Sequence, residues 1–226
     1  MPASEQDRTL RAGDVAPNVV LDAITREGKV AVDDYRGRSA VLIGIFRGLH
    51  CPYCRRHIAA MSQLQPALRE KGIDVLTVVN TPIERARLYF RYRPMPDMLA
   101  AADPDRVSHR AFGLPNLEFT NDESDWPRKV AMSQMAAMKI NVTGELAEPL
   151  DPISALAALN KMDGYEITDA DQQMQATGMG QLIGEFLLDR EGIIRWSFTE
   201  VADGGKNLFG APTPQDLMSA ASRVAG

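Results

Sequence analysis

The run "SAVLIGIF" at 39–46 is apolar without alternation and rich in branched residues, the pattern of a strand covered on both faces. "IDVLTVVN" at 73–80 repeats that pattern and predicts a second buried strand. The shorter segments "NVVLDAI" and "KVAVDDY" predict two strands around a turn at Glu27–Gly28. Between the long runs the spacing changes. Ile58, Met61, Leu64 and Leu68 recur at helical intervals, Pro66 falls inside the pattern and should kink it, and Gly72 closes it. "TPIERARLYFRYRP" predicts a helix with Thr81 as N-cap and Pro82 at its first position. "DMLAAADPDRVSHRAFGL" predicts a short strand, a turn at Asp103–Pro104 and a helix. "GEFLLDREGIIRWSFTE" predicts a hairpin turning at Glu191–Gly192, and "TPQDLMSAASRVA" a closing helix. Strands alternating with helices predict an α/β three-layer fold.

The stretch from about 116 to 179 does not fit that alternation. Its segments "ESDWPRKVAMSQMAAMKI", "EPLDPISALAALNKMDG" and "ITDADQQMQATGMG" look helical, with Ser124 or Asp125 and later Thr168 as caps. The expectation is one domain carrying a helical insertion. At 226 residues, 45% hydrophobic, the chain is long enough for one sizeable core. A net charge of −5 advertises neither nucleic acid nor membrane as partner. No apolar run approaches the ~20 residues of a membrane span. The N-terminal segment, polar up to about Gln6, lacks the apolar centre of a signal peptide, so a cytoplasmic, reducing setting is expected.

In such a setting a close cysteine pair is catalytic or metal-binding more often than structural. The chain has two cysteines, Cys51 and Cys54, in "HCPYC" between a strand and a helix. Unpaired N–H groups at a helix start, the helix dipole, and Arg47, Arg55 and Arg56 nearby all favour thiolate, with His50 adding charge when protonated. Pro52 suits the first helical turn and stiffens it. A C-x-x-C that follows a strand and opens a helix is a redox signature. The alternative is a structural zinc site built from Cys51, Cys54 and His57, but such sites carry a second distant pair and only His109 remains elsewhere. Neither a metal nor a cofactor is expected.

"GDVAPNVVL", "DYRGRSAVLIGIF", the helix-opening cysteine motif, "AADPDRVSHRAFGL" and "GEFLLDREGIIRW" come in one order. Together they resemble the AhpC/TSA peroxiredoxin-like branch of the thioredoxin superfamily. The resemblance implies a thioredoxin-like fold and a thiol-dependent oxidoreductase cycling Cys51 and Cys54 between dithiol and disulfide. It also implies a peroxide or disulfide substrate, a thioredoxin- or glutathione-type reductant, and room for a homodimer.

Two templates overlie the active stretch. Against a thioredoxin, Phe46 takes the aromatic position, Cys51 attacks and Cys54 resolves. Against a peroxiredoxin, Cys54 attacks the peroxide and Cys51 resolves, with Cys51 and Arg47 in place of the family's threonine and proline. This is the first expectation, because the framework outside the motif is the more peroxiredoxin-like; thioredoxin-type exchange is the alternative. The arginine that peroxiredoxins carry before the "GEF" strand is Ile183 here, and one of Arg47, Arg55 or Arg56 could replace it. Thioredoxins have a cis-proline near Gly184, which is also missing. A reading of another class is a non-enzymatic redox sensor whose insertion presents a partner surface. "GMGQLIG" at 178–184 precedes a strand, whereas a nucleotide loop follows one. The insertion methionines Met132, Met135, Met138, Met162, Met174 and Met179 read as core or interface packing. His109 reads as a surface residue, and Trp126 and Trp196 as partly buried anchors.

Overall fold

The structure, a computed structural model, describes residues 8–95, 97–121 and 123–224. The polar start up to Gln6 lies outside them, as does Asp122, one of an acidic pair with Glu123 that reads in sequence as a solvated turn. The long apolar runs form β3 (Ala40–Phe46) and β4 (Ile73–Val79), paired in parallel at the centre of a sheet. β3 shows why it needs no polar positions. Ala40, Leu42 and Phe46 point to one core, whereas Val41, Ile43 and Ile45 point to another. Successive side chains alternate faces, so a strand covered on both sides must be apolar throughout.

The remaining strands are β1 (Val20–Ala23), β2 (Lys29–Ala31), β5 (Leu99–Ala102), β8 (Gly184–Leu188) and β9 (Ile194–Thr199). They complete a seven-stranded sheet in the order β2-β1-β5-β4-β3-β8-β9. β5 is parallel to β4, while β8 is antiparallel to β3 and β9 antiparallel to β8. α1 (Pro52–Glu70) and α7 (Pro214–Ala221) pack on the face that carries Leu42 and Phe46. α3 (Val107–Ala111) leads into Phe112 and Leu114 on the other. This is the α/β thioredoxin-like architecture.

α1 runs unbroken through Pro66. That proline is on the exposed face, so the carbonyl it leaves unbonded one turn earlier can turn to water. α2 (Ile83–Tyr92) starts one residue later than expected, with Pro82 as N-cap. Thr81 is engaged elsewhere, its hydroxyl accepting the Leu49 N–H at 2.9 Å.

The 116–179 stretch is less helical than the sequence suggests. It opens with β6 (Glu118–Thr120) and β7 (Lys129–Ala131), three-residue strands in a small parallel sheet. α4 (Met132–Ala137), α5 (Pro152–Met162) and α6 (Asp169–Thr177) follow. Thr168 does cap α6, but Ala131 precedes α4, and Ser124 instead accepts the Ala131 N–H. A small apolar cluster of Leu117, Val130, Leu182, Val201 and Leu208 joins this stretch to the loop after β9. Met135 and Met138 pack on it, whereas Met132, Met162 and Met179 are exposed on this chain and so are not core residues. Among the described residues no helix is long and apolar enough to cross a membrane.

Candidate active site

β3 ends at Phe46 and the chain turns through Arg47–His50 before Cys51 becomes the N-cap of α1. Three bonds hold this turn. The Leu49 N–H is taken by Thr81, the His50 carbonyl accepts from Asn160 Nδ2 at 3.2 Å, and the Leu49 carbonyl accepts from Arg55 Nη1 at 2.6 Å. Pro52 occupies the first helical position, where its missing N–H costs no intrahelical bond.

Both cysteines are buried free thiols, and they are not equivalent. Cys51 Sγ accepts the Cys54 N–H at 3.3 Å. Burial pushes the Cys51 thiol up, but the Cys54 thiol, Arg47 and the Cys54 N–H outweigh it and bring the pKa down to about 7. Cys54 moves well above its usual value, first through burial and then because its thiol and charge face Cys51. The shifts make the first cysteine the more acidic of the two and the second a donor to it.

Arg47 is the cation that faces the pair. It is pinned by Glu200, fully buried, at 2.7 Å. The other bonds of Glu200 come from the N–H groups of Ile183 at 3.1 Å and Phe209 at 2.6 Å. The Ile183 backbone N–H thus helps to orient the carboxylate that holds Arg47. The Arg47 guanidinium lies 5.0 Å from the Phe209 ring centre, and its Nη1 is buried with no partner among the described residues. Phe209 and Val201 adopt φ of +61° and +53°. Side chains rarely tolerate such angles, so the loop that delivers Glu200 and Phe209 is strained beside the site.

The other predicted residues separate. Arg55 turns away from the sulfurs: it bonds the Leu49 carbonyl, Asn160 and Asp163 and stacks 4.2 Å from the Tyr165 ring centre. Its charge is neutralised by Asp163, so it ties α5 to α1. Arg56 pairs with Glu145 and Asp163. His50 adds no charge at neutral pH, because burial outweighs Asp171 and drops its pKa to about 4. His57 pairs through Nε2 with the buried Glu185 at 2.5 Å. Among the described residues no three His, Cys, Asp or Glu side chains are placed to hold a metal.

His109 is buried, against the expectation of a surface position, and burial lowers its pKa to about 4. A five-residue helix offers too little periodicity to show which face is covered. Trp126 and Trp196 are half-buried as expected. Sequence reasoning missed Glu200, Asn160 and Phe209, which no local motif marks.

Cys51, Arg47 and His50 border a chamber of about 650 Å³. Gly178–Gly180, from the glycine-rich stretch, forms part of its wall. Gly180 has φ of +79°, and a Cβ there would meet the Leu117 carbonyl oxygen.

The comparisons with known proteins agree with this fold. Over 141 residues the chain is 24% identical to the 1-Cys peroxiredoxin PER1 of Hordeum vulgare, covering 60% of each. The chain therefore spans about 60% of the length of the curated relatives it matches. The structure is similar to a peroxiredoxin-like protein from Aquifex aeolicus, with TM-score 0.57 and 13% identity, covering 96% of this chain and 89% of that one. It is also similar to peroxidoxin BcpB from Mycobacterium tuberculosis, with TM-score 0.55 and 9% identity, covering 95% and 96%. The model of the AhpC/TSA family matches residues 12–141, more than half of the sequence, and the chain belongs to that family.

Proposed function

We propose that the protein is a thiol-dependent peroxidase that cycles Cys51 and Cys54 between dithiol and disulfide, with Cys51 attacking. The observation that carries this reading is the asymmetry of the pair: Cys51 is drawn down to about 7 and borders the chamber, while Cys54 stays protonated behind it. The Cys51 thiolate attacks the terminal peroxide oxygen, the O–O bond breaks, and alcohol or water leaves after taking a proton. The Arg47 Nη1 hydrogens, lacking a partner, are available to the oxygen that gains charge. Oxidation removes the charge of Cys51, and with it one cause of the raised Cys54 pKa. Cys54 then attacks the sulfenic sulfur, the S–S bond forms and water leaves. A thioredoxin- or glutathione-type thiol restores the dithiol by exchange. The working setting of this cycle is a reducing cytoplasm.

This assignment reverses the peroxiredoxin template, in which Cys54 attacks. It matches the roles of a thioredoxin-type exchanger, and the low pKa of Cys51 favours that second reading as well. Stopped-flow oxidation of the reduced protein separates the two. Peroxide oxidation that is lost in Cys51→Ser, with a dimedone-trappable sulfenic acid persisting in Cys54→Ser, supports a Cys51 peroxidase. The mirror result moves the attack to Cys54. Peroxide rates no faster than a free thiol's, with rapid reduction of an aromatic disulfide, establish the exchanger.

A further inference from the structure

α2 divides its arginines between two sides. Arg85 pairs with Asp171 at 3.1 Å, and Arg93, just past the helix end, donates to the Asp163 carbonyl at 3.0 Å. Both are spent on holding the 116–179 stretch. Arg87, Phe90 and Arg91 are three and four residues apart, so they share the other side of the helix. There they line a groove together with Arg26, from the turn between β1 and β2. The groove encloses about 700 Å³, within the ~300–1,000 Å³ of small-molecule sites. It shares no lining residue with the chamber at Cys51.

The floor of this groove is apolar, with Ile24, Phe90 and Met98 buried in it. Its rim carries positive charge that no carboxylate cancels. Arg26 donates to the Lys29 carbonyl at 3.1 Å and Arg87 to the Ala23 carbonyl at 3.2 Å. A backbone carbonyl fixes a guanidinium in place and leaves its charge intact. Arg91 bonds to nothing among the described residues. Asp97 is the one carboxylate on the lining, and it too makes no ion pair with a described residue. Three guanidiniums against one carboxylate leave the groove positive on a chain whose net charge is −5. The excess, two charges, matches the roughly −1.5 to −2 that a phosphate monoester carries at neutral pH. Guanidinium N–H pairs also fit phosphate oxygens two at a time. Inorganic phosphate would satisfy the rim but leave the apolar floor uncovered.

We propose that this groove binds a small phosphate monoester carried on an aromatic or apolar body. The phosphate lies among Arg26, Arg87 and Arg91, and the body covers Ile24, Phe90 and Met98. Because the groove stands apart from the sulfurs, the inference holds whichever cysteine attacks and whatever it attacks.

The test is calorimetric titration of the full-length protein at low salt with 1-naphthyl phosphate, and with its two halves, inorganic phosphate and 1-naphthol. The ester should bind at a single site per chain, at least about tenfold more tightly than either half alone. Replacing Arg87 and Arg91 together by glutamine should weaken it at least about tenfold, the loss expected for a charge-assisted hydrogen bond. Arg26→Gln, on a different element, should weaken it in the same direction and keeps the test readable if the double variant does not fold. Arg128→Gln, exposed and outside the groove, should bind as the wild type does. Inorganic phosphate binding as tightly as the ester, or an affinity unchanged in the folded groove variants, overturns the proposal. So does binding to vesicles that carry phosphatidic acid with none to the soluble ester, which would assign the arginines to a lipid surface.

Discussion

Arg47 and Glu200 should move the Cys51 pKa in opposite directions. Arg47→Met alone would strand the buried carboxylate of Glu200, a loss of about 3–5 kcal/mol. Pairing it with Glu200→Gln removes both charges and keeps an acceptor oxygen for the N–H groups of Ile183 and Phe209. In the double variant burial still pushes the Cys51 thiol up, opposed now by the Cys54 donors alone. Cys51 then moves from about 7 toward the free-thiol value of ~8.5, a rise worth about 2 kcal/mol. At pH 7 the thiolate falls from about half to roughly 3%, and peroxide oxidation slows ~15-fold. Well above the new pKa the ionisation part of the loss vanishes, and the difference that remains is the missing Arg47 N–H support at the leaving oxygen. Glu200→Gln alone does the reverse, because it removes the carboxylate that raises Cys51 and leaves Arg47 unopposed. The assay is the ultraviolet absorbance of the thiolate against pH, in a Cys54→Ser background so that one thiol titrates. A Cys51 pKa unmoved by the double variant, or raised by Glu200→Gln, would refute the electrostatic account.

Other parts of the structure carry their own expectations. His50 and His109 have folded pKa values of about 4, against 6.5 for the free side chain, so the unfolded chain binds more protons between those values. Stability should therefore be full above about pH 6.5 and fall as the pH drops toward 4, by on the order of 3 kcal/mol per histidine; urea midpoints across that range, with His109→Gln losing part of the slope, check it. Asn160→Leu removes the donor to the His50 carbonyl and an acceptor for Arg55. It should cost about 1–3 kcal/mol in chemical denaturation. Gly180→Ala puts a Cβ against the Leu117 carbonyl at a φ of +79°. It should lower the thermal midpoint, although at ordinary backbone angles alanine is more stable than glycine by up to ~1 kcal/mol.

What the sequence alone determined is what lies close together along it. β3 and β4 are legible because a doubly covered strand is apolar at every position, and α1 because Ile58, Met61, Leu64 and Leu68 return at its period. The C-P-Y-C motif is legible because a helix start and two thiols one turn apart are local geometry. Cys51 at the N-cap, Pro52 in the first turn and the thioredoxin-like order of elements follow from such patterns. β6 and β7 escaped notice because three residues are too few to show alternation, and the burial of His109 because its helix is barely longer than one turn. Which sulfur is the more acidic depends on tertiary structure. Glu200 fixes Arg47 across 153 positions of sequence, and Asn160 reaches back 110 positions to hold the peptide before Cys51. Desolvation and charge act through space, so the three arginines around the motif look alike as letters and differ once folded. Arg47 meets the thiols, while Arg55 and Arg56 are neutralised by Asp163 and Glu145. The chamber is likewise invisible in sequence, since its walls come from segments that meet only when the 116–179 stretch folds over the end of β3.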